Sequence, residues 1–332
     1  MIGLPGAGTF LSAATTNWVA ALDTIRIVER SGLAVDRNIR APFPCNLQPP
    51  TCNLFAPFLA LAILLTGCQS PSVTPPLTRF EFTSPHMGTL FSIKLYAPNR
   101  PSAETAAQAA FTRIAALEDI MSDYQADSEL MRLCERPVGV PVPVSADLFA
   151  VIQKAEKFSE LSDGAFDITV GPYVRFWRFA RKKKVLPTSA EITTAAKSVG
   201  YKKLRLDPRK RTITLLAPNM RLDLGAIGKG YAADQAMRVL KSRGIDRALV
   251  AASGDIAIGD PPPGQRGWKV SISGMTTATN EHPRTLSLHN CGISTSGDTE
   301  QSVEIGGVRY SHIVNPSTGL GLTQRIQATI IG

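Results

Sequence analysis

The chain has 332 residues, 44% hydrophobic and 19% charged, which is enough apolar material for one large domain or two ordinary ones. The net charge of +9 admits anionic partners, but the densest basic run, Arg181–Lys184, is short, lacks interleaved aromatics and reads as a solvated loop face rather than a nucleic-acid stripe. Five cysteines (Cys45, Cys52, Cys68, Cys134, Cys291) form no CxxC or zinc spacing, and four histidines form no HExxH, which argues against a histidine- or cysteine-based metal centre.

Residues 1–52 show no clear organisation and end in the proline-rich APFPCNLQPPTC. Leu54–Thr66 (LFAPFLALAILLT) is almost wholly apolar, too short to span a bilayer comfortably but the right length for a signal-peptide core. It runs into Leu65-Thr66-Gly67-Cys68, which resembles a bacterial lipoprotein box; the resemblance implies that Cys68 becomes the lipid-bearing mature N-terminus. A buried hydrophobic segment is the competing reading. Residues 69–78 (QSPSVTPPLT) suit a polar tether between membrane and domain. The long stretch before the apolar run fits a misassigned start codon, with Arg37 and Arg40 as the positive end of the leader. Residues 1–67 are then non-mature, with the signal segment at 53–68 and the working domain at 79–332. Cys134 and Cys291 remain as free thiols.

From Arg79 the pattern becomes regular. Phe80 and Phe82 alternate into a strand, His86–Thr89 turns, and Leu90–Tyr96 alternates again. Ser102–Ser122 carries Ala107, Ala110, Ile114, Leu117 and Met121 at helical spacing. A polar loop, SDYQADSEL, holds Tyr124 and precedes a second helix between Ser145 and Gly164. Gly164–Asp167 leads through ITVGP to the aromatic stretch VRFWRFA. Thr188 and Glu191 form a capping box for a helix ending near Gly200. Strands are predicted at Lys203–Leu206, Thr212–Leu216 and Ala248–Ala252. A hairpin is predicted from Trp268–Ser273 and Thr285–Leu288, and a final strand at Gln327–Ile331. No repeat is visible, and the absence of a regular βαβ rhythm predicts an α+β fold with mixed or antiparallel sheets and flanking helices.

Arg221–Asp234 (RLDLGAIGKGYAAD) is the stretch around which the chain is organised. Alternating Leu222 and Leu224 predict a strand, Gly225–Gly230 a turn, and the residues from Tyr231 a helix closed by Gly244. A glycine turn opening a helix suits phosphate, because unpaired N–H groups meet the positive end of the helix dipole. Lys229 would add a point charge. The spacing is neither GxGxxG nor a P-loop, which would need glycine at Asp223 and a hydroxyl at Gly230. A plain strand-to-helix connection with Lys229 in solvent stays open from these residues alone. Ser253 and Ser296 lie outside any GxSxG, which disfavours a serine hydrolase.

HMGT, SDYQADSEL, GAFDITVGP, LDLGAIGKGYAAD, SGDI, STSGD and SHIVNPSTG, in this order, resemble the ApbE family of FAD:protein FMN transferases. The resemblance runs from about Arg79 to the last residue and implies an ApbE-like, T-fold-related architecture. It implies that FAD is cleaved with Mg²⁺, FMN passes to a Thr or Ser of an acceptor protein, and AMP leaves. By the same resemblance Met87, Tyr124, Ala165, Phe166, Asp167, Asp223, Lys229 and Val314 contact FAD. Ala226 gives its carbonyl to magnesium, and His312 is the candidate for proton transfer. The implied partner is a subunit of a membrane redox complex, met at the periplasmic side of the inner membrane by a lipid-anchored enzyme. Two features depart from the family. Asn315 stands where HIxDP has Asp, and the sequence stops at Gly332, before a strand and a helix with a DALxT-like motif that completes the magnesium site. A C-terminally truncated member implies weakened FAD binding and low or absent transfer. The competing activities are an FAD pyrophosphatase releasing FMN and AMP, and a non-catalytic FAD-binding lipoprotein.

Overall fold

The computed structural model describes residues 26–28, 76–272, 284–297 and 301–332. The apolar run Leu54–Thr66, Cys68 and the tether up to residue 75 lie outside the described residues, as do Ser273 and Asp298. Among the described residues no helix is long and apolar enough to cross a membrane.

A seven-stranded sheet forms the centre, in the order β1-β14-β11-β8-β7-β3-β2, with every pairing antiparallel. Its strands are β1 (Arg26–Val28), β2 (Thr78–His86), β3 (Thr89–Ala97), β7 (Ala248–Ala252), β8 (Asp255–Ile258), β11 (Cys291–Gly297) and β14 (Gln327–Ile331). Alternation decides the faces. Phe91, Ile93, Leu95 and Ala97 of β3 are fully buried beneath helices α1 (Arg100–Met121) and α6 (Gly228–Ser242), which pack on each other and on the sheet. The intervening residues point to the other face. There Tyr96, Leu249, Ile258 and Ile293 pack against the hairpin of β9 (Trp268–Ile272) and β10 (Arg284–Leu288). The sheet and the predicted hairpin thus bear out the α+β expectation.

The helices start where the sequence supplies acceptors. Asn99 accepts from the Ser102 N–H at 2.9 Å to begin α1, and Ser145 accepts from Leu148 to begin α3 (Ala146–Leu161). Thr188 and Glu191 make the predicted capping box of α5 (Ser189–Ala196). Gly244, at φ +76°, takes the left-handed turn after α6. The sheet β4-β6-β5 (Val142–Pro143, Thr212–Leu215 and Leu204–Asp207) packs beside the main core.

Several elements depart from the sequence expectation. β4, β8 and β11 were not expected as strands, and β1 lies in the stretch 1–52 read as without clear organisation. Four further stretches differ. α2 (Glu129–Cys134) forms within and after the SDYQADSEL loop, with the Ser128 hydroxyl as its cap. VRFWRFA belongs to α4 (Gly171–Lys183), and Arg181–Lys184 is that helix's end rather than a loop; its cations face the negative end of the dipole and Lys184 turns left-handed. The hairpin β12–β13 (Ser302–Ile305, Val308–Ser311) was not expected from the sequence. Residues 222–224 form no strand: Arg221 makes a single parallel bridge to Val170, and buried Leu222 and Leu224 pin the chain on both sides of Asp223. α4, α5 and β12–β13 enclose a second apolar cluster, in which Trp177 donates to the Gly319 carbonyl at 2.8 Å and packs on Tyr310. Cys134 and Cys291 are free and half-buried, and burial pushes the Cys134 thiol up to about 11, so it stays protonated and unreactive.

Candidate functional site

The glycine turn is built by Asp223. Its N–H donates to the Ile168 carbonyl at 2.8 Å, and its Oδ1 accepts from the Gly225 N–H at 2.7 Å. The chain then folds over Leu224, whose carbonyl accepts from both Ile227 and Gly228, and α6 begins at Gly228 rather than at Tyr231. No side chain caps this helix. The Gly228 N–H is taken by Leu224, so it is the next two N–H groups, of Lys229 and Gly230, that remain available to an anion. Lys229, now in the first helical turn, reaches back to the Gly225 carbonyl at 3.3 Å. Ala226 is exposed at the tip of the turn.

A second wall comes from the loop after α1. The Ser122 hydroxyl accepts from the N–H groups of Tyr124 and Gln125, and the Ser128 hydroxyl donates to the Ser122 carbonyl at 2.6 Å. This pinned loop presents Asp123 and Tyr124. Tyr124 is 77% exposed, and the Arg178 guanidinium lies 3.9 Å from the centroid of its ring. Arg178 Nη2 donates to Asp123 at 2.5 Å and reaches Asp223 at 3.6 Å. Burial and the Asp223 charge push the Asp123 carboxyl up, and Arg178 opposes both.

A third wall is the segment around His312. Its Nδ1 contacts the Gln301 carbonyl at 3.0 Å, while Arg181 donates to the Gln301 side chain. The His312 pKa is lowered, chiefly by burial; Arg181 and Lys229 lower it further, while the Gln301 carbonyl and Asp223 raise it. Val314 is buried in the second apolar cluster.

Tyr124, the Asp223–Lys229 turn and His312, three stretches far apart in sequence, are thus joined in one network of contacts and fields. Met87 sits at the β2–β3 turn with φ +50°, its N–H held by Glu118 at 2.7 Å and its side chain against the main core. Ala165 is half-buried, and Phe166 is buried edge-on to Phe158. Asp167 Oδ1 accepts from the N–H and hydroxyl of Thr169 and Oδ2 accepts from the Tyr201 N–H, so its carboxylate fastens the loop that carries Ile168 beside the turn. Cys68 lies outside the described residues.

The sequence reading singles out neither Asp123 nor Arg178. Asp123 stands beside a named residue, and the acidic character of SDYQADSEL was its only signal. Arg178 needed α4 to be recognised. Tyr173, Trp177 and Ala180 form the buried stripe of that helix, and Val174, Arg178 and Arg181 follow about a quarter-turn around it.

An uncapped helix start with a lysine, an exposed aromatic ring and a half-buried histidine have the chemistry that suits an anionic ligand carrying a flat ring. The chain belongs to the ApbE family, whose model matches residues 87–332. It is 32% identical over 267 residues to an FAD:protein FMN transferase of Salmonella typhimurium, covering 79% of this chain and 76% of that protein. A Vibrio cholerae protein of the same name is 29% identical over 276 residues, with 82% and 80% covered. Among solved structures, the flavin transferase ApbE from Vibrio cholerae superposes with a TM-score of 0.70 at 29% identity, covering 77% of this chain and 82% of that one. The ApbE protein from Thermotoga maritima gives 0.69 at 29% identity with the same coverage.

Proposed function

We propose that the chain is an FAD:protein FMN transferase. An acceptor Thr or Ser hydroxyl attacks the FMN phosphorus of FAD. A P–O bond forms to the acceptor, the P–O bond to the bridging oxygen breaks, and AMP leaves with that oxygen. The observation that carries this reading is that Arg178 joins the Tyr124 ring to Asp223 of the uncapped turn, with His312 in the field of Asp223 and Lys229.

Each residue has a chemical task in that reaction. A carbonyl only accepts, so the contact with Gln301 places the imidazole proton on Nδ1 and leaves Nε2 of neutral His312 free to take the hydroxyl proton. Lys229 and the first N–H groups of α6 face the charge that develops on the phosphates. Tyr124 offers a ring face for the flavin. Met87, Ala165, Phe166, Asp167 and Val314 belong to the reading as FAD contacts, with Ala165–Asp167 on the loop fastened beside the turn.

Magnesium belongs to it as the counter-ion of the substrate's phosphates, where it would neutralise charge as the bond breaks. Among the described residues no three acidic, histidine or cysteine side chains converge on a cation position. The Ala226 carbonyl alone is too small a donor set to hold the ion.

The acceptor is read as a subunit of a membrane redox complex, and the enzyme as an envelope protein anchored through Cys68 at the periplasmic face. The apolar run before Cys68 and the proline-rich stretch after it support this. Cys68→Ser would release an anchored protein from the membrane fraction, and no change in that fraction would overturn the anchor.

The activity is tested by incubating the full chain with FAD, magnesium chloride and a peptide bearing an acceptor threonine. Covalent flavin on the peptide with AMP released is the expected result. Free FMN and AMP with unmodified peptide would replace transfer by hydrolysis. Bound FAD with no AMP would leave a flavin-binding protein.

A further inference from the structure

The Arg178 guanidinium touches three groups of the site at once: the Tyr124 ring, Asp123 and Asp223. Its Nε is buried without a hydrogen-bond partner, so packing rather than full satisfaction of its donors holds it there. The backbone of α4 carries Arg178 firmly, because Trp177 next to it is buried and bonded to Gly319. Tyr124 is the opposite case. A tyrosine this exposed, on a loop, exchanges rotamers readily unless something fixes the ring plane. The guanidinium 3.9 Å from its centroid does so, covering one ring face and leaving the other towards solvent.

We propose that Arg178 is a positioning residue for the dinucleotide: it holds the Tyr124 ring as a fixed platform for the ligand's flat ring and gathers Asp123 and Asp223 on one cation. This rests on the flavin reading above. Lysine cannot replace arginine in this role, since an ammonium pairs with a carboxylate but does not lie flat on a ring. Without Arg178 the loop carrying Tyr124 would lose its tie to α4, and binding would have to order the ring at its own expense.

The test is a double-mutant cycle on the full chain, read as FAD affinity by quenching of flavin fluorescence, with a thermal melt of every variant. R178K keeps the cation and melts as the parent does, yet weakens FAD about tenfold. Y124A weakens FAD by itself, and adding R178K to it costs nothing further, because the lysine variant acts through the ring. If R178K melts early, R178Q, planar but neutral, is measured in the same cycle against the same criterion. Parental affinity in the arginine variant, or an equal loss with and without Tyr124, overturns the inference and leaves the flavin site standing. Unchanged affinity in Y124A removes the stacking site, and the inference with it.

Discussion

Both the backbone N–H and the ring Nδ1 of His312 are directed at the carbonyl oxygen of Gln301, each at 3.0 Å. One acceptor thereby fixes the tautomer and the ring orientation together. The Nε2 lone pair is left free, in the field of Arg181, Lys229 and Asp223.

That arrangement sets a pH dependence. Burial and the two cations disfavour the imidazolium, so the His312 pKa lies below its ordinary value of about 6.5. The neutral base is then the majority form at pH 7. Transfer should be level above neutrality and fall on the acid side with a midpoint below about 6.5. Arg181→Gln removes a charge that lowers the pKa and should move that midpoint upward. His312→Asn should slow transfer about 10²- to 10⁴-fold while FAD affinity holds. A pH–rate profile of the three proteins decides it; an acid limb centred above 6.5 in the parent would remove His312 as the base.

Gly225 and Gly228 should separate folding from binding. A Cβ on Gly228 would meet nothing within 4 Å, so Gly228→Ala leaves the melting temperature unchanged or raises it. The same methyl group sits where phosphate oxygens would approach the helix start, and FAD affinity should drop several-fold. A Cβ on Gly225 would lie 2.9 Å from Asp223 Oδ1, the acceptor of that residue's own N–H. Gly225→Ala should therefore lower both quantities. Calorimetric melts and FAD titrations of the two variants provide the comparison.

Three helices are tied together by Arg113 of α1, Asp147 of α3 and Tyr231 of α6. Arg113 grips Asp147 through two bonds of 2.8 and 2.5 Å, and the Tyr231 hydroxyl donates to the same carboxylate at 3.0 Å. Tyr231→Phe should cost about 0.5 to 1.5 kcal/mol, and Asp147→Asn about 1 to 3 kcal/mol. The Arg113 bond lowers the Asp147 pKa. Its stabilisation is complete above the unfolded value near 3.9 and is lost as pH falls through the lower folded value. Urea melts at pH 7 and pH 3 should show the Asn variant closing on the parent in acid.

Glu156 acts in the other direction. Burial first, then Asp167 and Glu160, push its carboxyl up to about 7. The folded state binds a proton that the unfolded state has released between about 4.5 and 7, so stability falls as pH rises through that window and stays reduced above it. Glu156→Gln should raise the melting temperature at pH 8 and leave it unchanged at pH 4. Equal effects at both pH values would mean that the side chain's packing, not its charge, is what matters.

Much of the site was legible because its parts are local. Asp223 bonds two residues ahead, Thr188 and Glu191 cap each other, and Gly244 turns left-handed after its helix. Each is settled within a few residues. Lys229 is marked by its place in the glycine turn, whereas Tyr124 and His312 are singled out only by the resemblance to the family. α4 stayed hidden for a physical reason. Phe176 is partly buried and Phe179 is 59% exposed, so apolar residues occupy several sides of the helix and blur its 3.6 period. The β12–β13 hairpin did carry a signal in Gly306-Gly307 between Ile305 and Val308, both glycines at positive φ.

The sequence by itself determined the α+β class, most strands, the helix caps and the glycine turn, because these depend on alternation and on hydrogen bonds between near neighbours. Only the tertiary structure decided that Asp123, Arg178 and Asp223 share one cation and that His312 lies within the field of Lys229. Those contacts cross about 45 to 90 residues of chain. They arise where the main core beneath the sheet's helices meets the smaller core around Trp177, and no local pattern encodes which side chains two separate cores will bring face to face.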